Sequence, residues 1–158
     1  MSIGIRAMRS GEEDAVVTMI RQLPKDLGLK TVPKLTGQTL RDSQGLARVT
    51  VADNSGLLVG CCLWVMTYSS WRGAVGIYVS DLYVMEHARD GKVGDMLLRG
   101  VAREGSALGA AFIKLEVDAT NSKARGFYER RGFRHKPDDQ ILILEPDNFP
   151  AFVKGTAT

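Results

Sequence analysis

The 158-residue chain carries little that would staple, anchor or metallate it. Its only cysteines, Cys61 and Cys62, are adjacent in an apolar stretch. Neighbours on a strand point to opposite faces, so the pair is badly placed to bridge and reads as two small buried hydrophobes in a reducing compartment. The two histidines, His87 and His135, lie far apart, and neither has a Cys or His at ligand spacing. No metal site is therefore expected. No apolar run approaches the ~18 residues of a membrane helix, and the N-terminus lacks the apolar core of a signal peptide. The expectation is a cytoplasmic protein with no membrane partner. Net charge is only +3 and no Lys/Arg-rich run is present, which argues against nucleic acid as a partner. With 44% hydrophobic and 25% charged residues, the composition is that of a globular chain. Residues 1–158 are expected to form a single domain, large enough to bury a core unaided.

What is present is a readable succession of periods. Ile3, Ile5 and Ala7 alternate as a short strand. Ser10-x-x-Glu13 has the form of a capping box, and Ala15, Val16, Met19, Ile20 and Leu23 follow at helical spacing, with Pro24 marking the exit. A polar stretch punctuated by Gly and Pro runs to about Lys34. Thr36 then caps a short second helix ending near Gly45. Leu46–Asp53, Leu57–Tyr68 and Ala74–Met85 read as three strands of an antiparallel meander, divided by turn signals at 54–56 and 69–73. Val93, Met96, Leu97, Val101 and Leu108 form a helical stripe. Phe112–Val117 is a strand, Ser122–Arg130 a helix stopped by Gly132, and Gln140–Glu145 a last strand. The order β-α-α-β-β-β-α-β-α-β predicts an α+β fold: a mixed, mostly antiparallel sheet flanked by helices. The tail after Pro146 is expected to drape or fray.

The most informative segment is the strand Asp81–Met85 followed by Arg89-Asp90-Gly91-Lys92-Val93-Gly94-Asp95-Met96-Leu97-Leu98. A strand enters a glycine-containing turn, and the turn opens an amphipathic helix. The first turn of a helix has N–H groups without internal partners and sits at the positive end of the dipole. Glycine lets a ligand approach the backbone closely, so the arrangement suits a phosphate. Arg89 and Lys92 add positive charge there. A Walker A loop is excluded, because Gly91-Lys92 is followed by Val93 and the upstream glycine is missing. A dinucleotide fingerprint is excluded too, since only two glycines fit and the strand belongs to a meander.

A second constellation supplies specificity: Asn121-Ser122-Lys123-Ala124-Arg125-Gly126-Phe127-Tyr128-Glu129-Arg130-Arg131-Gly132-Phe133. Arg-x-Gly-x-x-Gly between strand and helix, then Asn-x-x-Ala-x-x-Phe-Tyr-x-x-x-Gly-Phe, is similar to the GNAT (GCN5-related N-acetyltransferase) superfamily. Residues 66–73, 81–85 and 127–132 resemble its diamine (spermidine/spermine) acetyltransferase branch. The likeness runs through nearly the whole chain and is strongest from 57 to 133.

That resemblance implies acetyl-CoA as co-substrate, no metal, and transfer of the acetyl group to a primary amine of a small molecule. It implies that the backbone of Arg89, Asp90, Gly91, Lys92, Val93, Gly94 and Asp95 grips the pyrophosphate. Leu82, Tyr83 and Val84 would pair with the pantetheine arm, one N–H facing the thioester oxygen. Asn121 and Ala124 match positions on the pantetheine side, and Asn121 read alone is a helix N-cap. Tyr128 matches the general acid for the departing sulfur, and a phenol pKa of about 10 suits that role. An alkylamine is almost wholly protonated at pH 7, so a base is required. Where the diamine branch carries Glu-Asp this chain has Ser80-Asp81, which makes Asp81 the expected base, through an ordered water, with Ser80 as a relay. Glu116 and Asp118 are held in reserve.

Lys92 stands where the family has a loop glycine, and a helical φ there would tolerate it. Asp90 sets a negative charge beside the expected diphosphate. Trp64, Tyr68, Trp71 and Tyr78 are expected to line an acceptor pocket as a cage for a cation. The family's habit of dimerising, with the aromatic middle strands as interface, adds a homodimer to the expectations. Two other functions fit the same motifs: a CoA-binding sensor or scaffold without turnover, and a protein or peptide N-acetyltransferase.

Overall fold

The runs rich in Val, Ile, Leu, Tyr and Trp become strands in the computed structural model, which describes residues 2–156. β1 is Ile3–Ala7, β2 Arg48–Asn54, β3 Leu57–Ser69, β4 Ala74–Val84 and β5 Ile113–Leu115. They form one sheet in the order β1-β2-β3-β4-β5, antiparallel except for the parallel pair β4–β5. The helices are α1 (Glu13–Asp26), α2 (Gly37–Asp42), α3 (Val93–Ala107), α4 (Ser122–Glu129) and α5 (Phe149–Val153). The expected α+β architecture is therefore present, with a mixed, mostly antiparallel sheet and flanking helices.

The described chain falls into two compact units, one ending at Asp118 and one beginning at Ala119. In the first, each face of the sheet is sealed by a different helix, because alternate strand residues face opposite ways. Val49, Val51, Cys61, Leu63 and Tyr83 pack with Val16, Met19 and Ile20 of α1 and Leu40 of α2. Ala52 and Val59 pack with Val93 and Leu97 of α3, and Leu82 and Val84 lie against them. A buried polar chain under α3 is satisfied: Trp64 Nε1 donates to Thr50 Oγ1 at 3.0 Å, and that hydroxyl donates to Glu104 Oε1 at 2.9 Å. Buried hydroxyl and indole groups left without partners would each be costly.

Several local expectations shift. No capping box forms at Ser10; α1 starts at Glu13 with Glu12 as N-cap and no side-chain cap. Glu12 instead accepts from Arg9 N at 2.7 Å and forms an ion pair with Arg6, and Glu13 accepts from Gly11 N at 2.8 Å. Carboxylates two or three residues on thus take the turn's N–H groups in place of the serine. Pro24 lies inside α1 rather than at its exit, since the helix runs to Asp26. Thr36 does cap α2, accepting from Thr39 N at 3.1 Å.

In the second unit α4 ends at Glu129, with Gly132 in the left-handed region (φ 92°) as the stop. The strand expected over Gln140–Glu145 is absent: Ile141, Leu142, Ile143 and Leu144 are exposed and unpaired into any ladder. Apolar alternation makes a strand only where a partner edge exists, and this unit holds only α4 and α5 among its described elements. The tail also gains a short helix, α5, in place of pure irregular chain.

Candidate active site

The site begins with a fault in a ladder. Leu63 pairs with Asp81, but Trp64 pairs with Val79, so Ser80 is the extra residue of a β-bulge. The bulge reverses the alternation of β4. Before it, Ile77 faces α3, where its side chain occupies the space a Gly105 Cβ would need. After it, Leu82 and Val84 face α3, while Asp81 and Tyr83 face α1 and α2. Were the alternation unbroken through Ser80, Asp81 would share the face of Ile77 and Val79, which are 1% and 4% exposed. Bulges recur beside active sites because they re-aim one side chain in this way.

Asp81 lines an open cavity of about 230 Å³. The end of α1 (Leu23, Pro24, Leu27) forms one wall and the following segment (Leu29 to Pro33) the other. Removal from water raises the carboxyl of Asp81 above its ordinary 3.8. Ser80 is exposed on the bulge. Next to Asp81 on the strand, Tyr78 is pushed up to about 12, by burial first, then by hydrogen bonding to Glu116 and by the charges of Glu116 and Asp81. Asp81, Tyr78 and Glu116 therefore form one electrostatic neighbourhood. Cys61 is raised to about 12, mainly by burial and then by Asp81, so it is a poor nucleophile.

The same point on β4 is where its second partner ends. β5 pairs with Ile77, Tyr78 and Val79 and with nothing beyond. Residues 80–84 keep β3 on one side only. Met85 N donates to Val59 O on the β3 side, so by alternation the N–H groups of Leu82 and Val84 point to the open side. Arg89 Nε donates to Val84 O there at 2.9 Å.

Beyond β4 the chain makes a 3₁₀ turn, Glu86–Gly91, and enters α3 through Lys92. Lys92 does not take the right-handed φ expected of it; it is left-handed at φ 60°, ψ 19°. This costs a lysine about 1 kcal/mol. A left-handed residue after a right-handed turn is also the backbone form of an anion-binding nest. No side chain caps the start of α3, and Met96 N closes the first helical turn on Lys92 O at 3.0 Å. Val93 buries its side chain in the α3 core, so only its backbone faces the turn; Asp90 is exposed, Gly94 is partly exposed, and Asp95 accepts from Arg99 Nε at 2.8 Å.

Arg89 is more than a loop cation. Besides Val84 O, its guanidinium pairs with Asp26 at the end of α1 and lies over the Tyr83 ring, 5.5 Å from its centre. Hydrogen bonding by Gln22 and then by Arg89 lowers Asp26 from its ordinary value.

In the second unit, Asn121 caps α4 by accepting from Ala124 N at 3.1 Å. Tyr128 is half-buried between two rings, edge-on to Phe127 at 5.1 Å and to Phe133 at 5.3 Å. Arg131 donates to Phe127 O at 2.8 Å with its guanidinium 3.7 Å from the Phe127 ring centre. The aromatic packing fixes the phenol's orientation within the unit.

The first unit thus brings together Ser80, Asp81, Leu82, Tyr83 and Val84 with the 89–95 turn; Asn121, Ala124 and Tyr128 are brought together in the second. The expected aromatic cage is not built. Trp64 is fully buried under α3, Tyr68 and Trp71 are 66% and 98% exposed at the β3–β4 hairpin, and the cavity wall is aliphatic. Sequence reasoning missed that wall. Its only signal was Leu27, Leu29 and Val32 recurring in a stretch otherwise read as polar. Among the described residues no cluster of His, Cys, Asp and Glu could hold a metal ion, and no helix is long and apolar enough to cross a membrane.

The model of the Acetyltransferase (GNAT) family matches residues 17–133. L-ornithine N5-acetyltransferase NATA1 of Arabidopsis thaliana is 30% identical over 101 residues, covering 64% of this chain and 44% of that protein. An uncharacterised N-acetyltransferase of Bacillus subtilis, YhfO, is 29% identical over 85 residues, covering 54% of this chain and 57% of its own. The chain thus spans about half the length of the curated relatives it matches. Among solved structures, an integron cassette protein of Vibrio cholerae superposes with a TM-score of 0.78 at 17% identity, over 98% of this chain and 99% of that one. A probable acetyltransferase gives 0.74 at 21%, over 90% and 97%. At these identities the structures speak for the fold.

Proposed function

The chain belongs to the Acetyltransferase (GNAT) family, and from that premise we propose that it transfers the acetyl group of acetyl-CoA to the primary amine of a small molecule. The observation that carries this reading is a coincidence on one strand. At Ser80, β4 loses its β5 partner and turns a half-buried carboxylate into a cavity, and the strand then leads to a helix start with no side-chain cap. A strand edge open on one side accepts an extended amide-bearing arm by adding it as a further strand. A helix head preceded by a left-handed residue accepts a diphosphate. The residues present therefore fit the coenzyme. When bound, acetyl-CoA supplies an activated acyl thioester.

The chain's own groups do the rest. The N–H groups of Leu82 and Val84 are fixed donors on the open edge; one such donor aimed at a developing oxyanion contributes about 3 kcal/mol. Asp81 removes a proton from the incoming ammonium, directly or through a water held by Ser80. Its burial-raised pKa makes it a stronger base than a surface aspartate. Tyr128, held between Phe127 and Phe133, returns a proton to the departing sulfur. Asn121 fixes the head of the helix that carries it. The diamine likeness seen in the sequence fits the Asp81 carboxylate but lacks a second acid at position 80.

The alternative of a CoA-binding module without turnover rests on position 80, where a serine stands in place of the diamine branch's second acid. Both readings meet the same test. Acetyl-CoA is incubated with the protein and a panel of amines, with free thiol as readout, and melting is followed with CoA in parallel. Thiol release above background with an amine supports the transferase; a thermal shift with CoA but no release supports the binding module.

A further inference from the structure

Resting on the transferase reading, we infer that the acceptor is a primary amine on an uncharged apolar body, not a diamine or an amino acid, and that the segment Leu29–Pro33 selects it. The cavity beside Asp81 has two walls of aliphatic and proline side chains, and its polar side chains are Asp81 and Thr31. Lys25, Asp26 and Lys30 belong to the same stretch of chain but do not line it. Asp26 is held by Arg89 and Gln22. Glu116, the next carboxylate towards β5, bonds Tyr78 and is likewise outside the lining. The cavity lining thus offers one anion and no cation for a carboxylate.

A protonated monoamine satisfies every surface it would meet. Its ammonium faces Asp81, and its body displaces water from Leu23, Leu27, Leu29 and Val32. Each buried methylene is worth roughly fourfold in affinity. A second ammonium on the same body would be drawn from water into apolar walls with no carboxylate to meet it, which is unfavourable. A six-carbon amine is a suitable probe for a cavity of about 230 Å³.

The matched pair n-hexylamine and 1,6-diaminohexane tests the inference, since they differ by one amino group. With acetyl-CoA saturating and thiol release as readout, kcat/KM for hexylamine is expected to exceed that for the diamine at least tenfold. Val32 is 67% exposed, so Val32→Asp is compatible with folding and puts a second carboxylate on the rim. That variant is expected to narrow the ratio at least fivefold by raising the diamine's kcat/KM, with the melting temperature as the check on folding. A diamine that equals or exceeds hexylamine on the unaltered protein, or a ratio that Val32→Asp leaves in place, overturns the inference while thiol release upholds the transferase. If no amine releases thiol, the transferase reading fails, and calorimetric titration of the CoA-saturated protein decides the cavity's preference. Tighter binding of hexylamine then supports it, and equal, weaker or undetectable binding overturns it.

Discussion

The two halves of β4 differ in both pairing and burial. From Ile77 to Val79 the strand is paired on both sides, and Ile77 and Val79 are almost wholly buried. From Ser80 to Val84 it has a neighbour on one side only, and of its residues only Tyr83 is buried. The first half is fastened by packing and serves as a rail. The second half gives up one ladder and one alternation, and what it gains is a carboxylate and a row of donors aimed away from the core. A single inserted residue separates the two regimes, so stability and chemistry are read off the same strand a few residues apart.

Asp81→Asn should break the comparison most sharply. If Asp81 is the proposed base, its loss lowers kcat/KM by roughly 10³-fold, within the usual range for a positioned proton acceptor. Its stability should move the other way. Asp81 has its folded pKa raised by burial, so its contribution to stability is full below the unfolded value and declines as pH rises through the folded one. At pH 7 the ionised form is a liability, and the amide removes it. A higher melting temperature than the parent at pH 7, converging as pH falls towards 3.8, is the expected profile. Activity of the parent should decline on the acid side at a pH above 3.8, as the carboxyl takes up its proton.

Ile77→Ala, in the fastened half, should do the reverse. It is expected to cost about 3 kcal/mol in denaturant unfolding, because Ile77 fills the space over Gly105, while turnover per folded molecule stays the same. Tyr128→Phe should lower kcat roughly 10²-fold with the KM for acetyl-CoA little altered; an equal loss in both would remove the phenol from the acid role. The smallest effect belongs to Lys92→Gly. Relief of the left-handed φ is expected to add about 1 kcal/mol of stability, measured by denaturant midpoint.

Periodicity made the strands, α3 and α4 legible, because alternation and helical spacing record burial on a face. The turn into α3 was legible for a different reason: glycines after a strand and before an apolar helical stripe mark a strand-to-helix junction. What stayed hidden depends on pairing. Nothing in Ser80-Asp81 announces a bulge, because a bulge is a count of residues against a partner strand. Arg89 read as a free cation, since Asp26 lies 63 positions away. Ile141–Leu144 read as a strand because its apolar text is right, yet strands exist only beside an edge. Lys92 was misjudged in φ, as side-chain identity alone favours the right-handed region.

The buried Trp64–Thr50–Glu104 chain also gives the protein its own optical gauge. The molecule has two tryptophans, one with no exposure and its indole N–H bound to a hydroxyl, the other 98% exposed at a hairpin tip. Iodide will quench the emission of Trp71 and spare that of Trp64. Melting of the sheet will redden Trp64 alone, so the light left unquenched tracks the integrity of the α3 interface without any label.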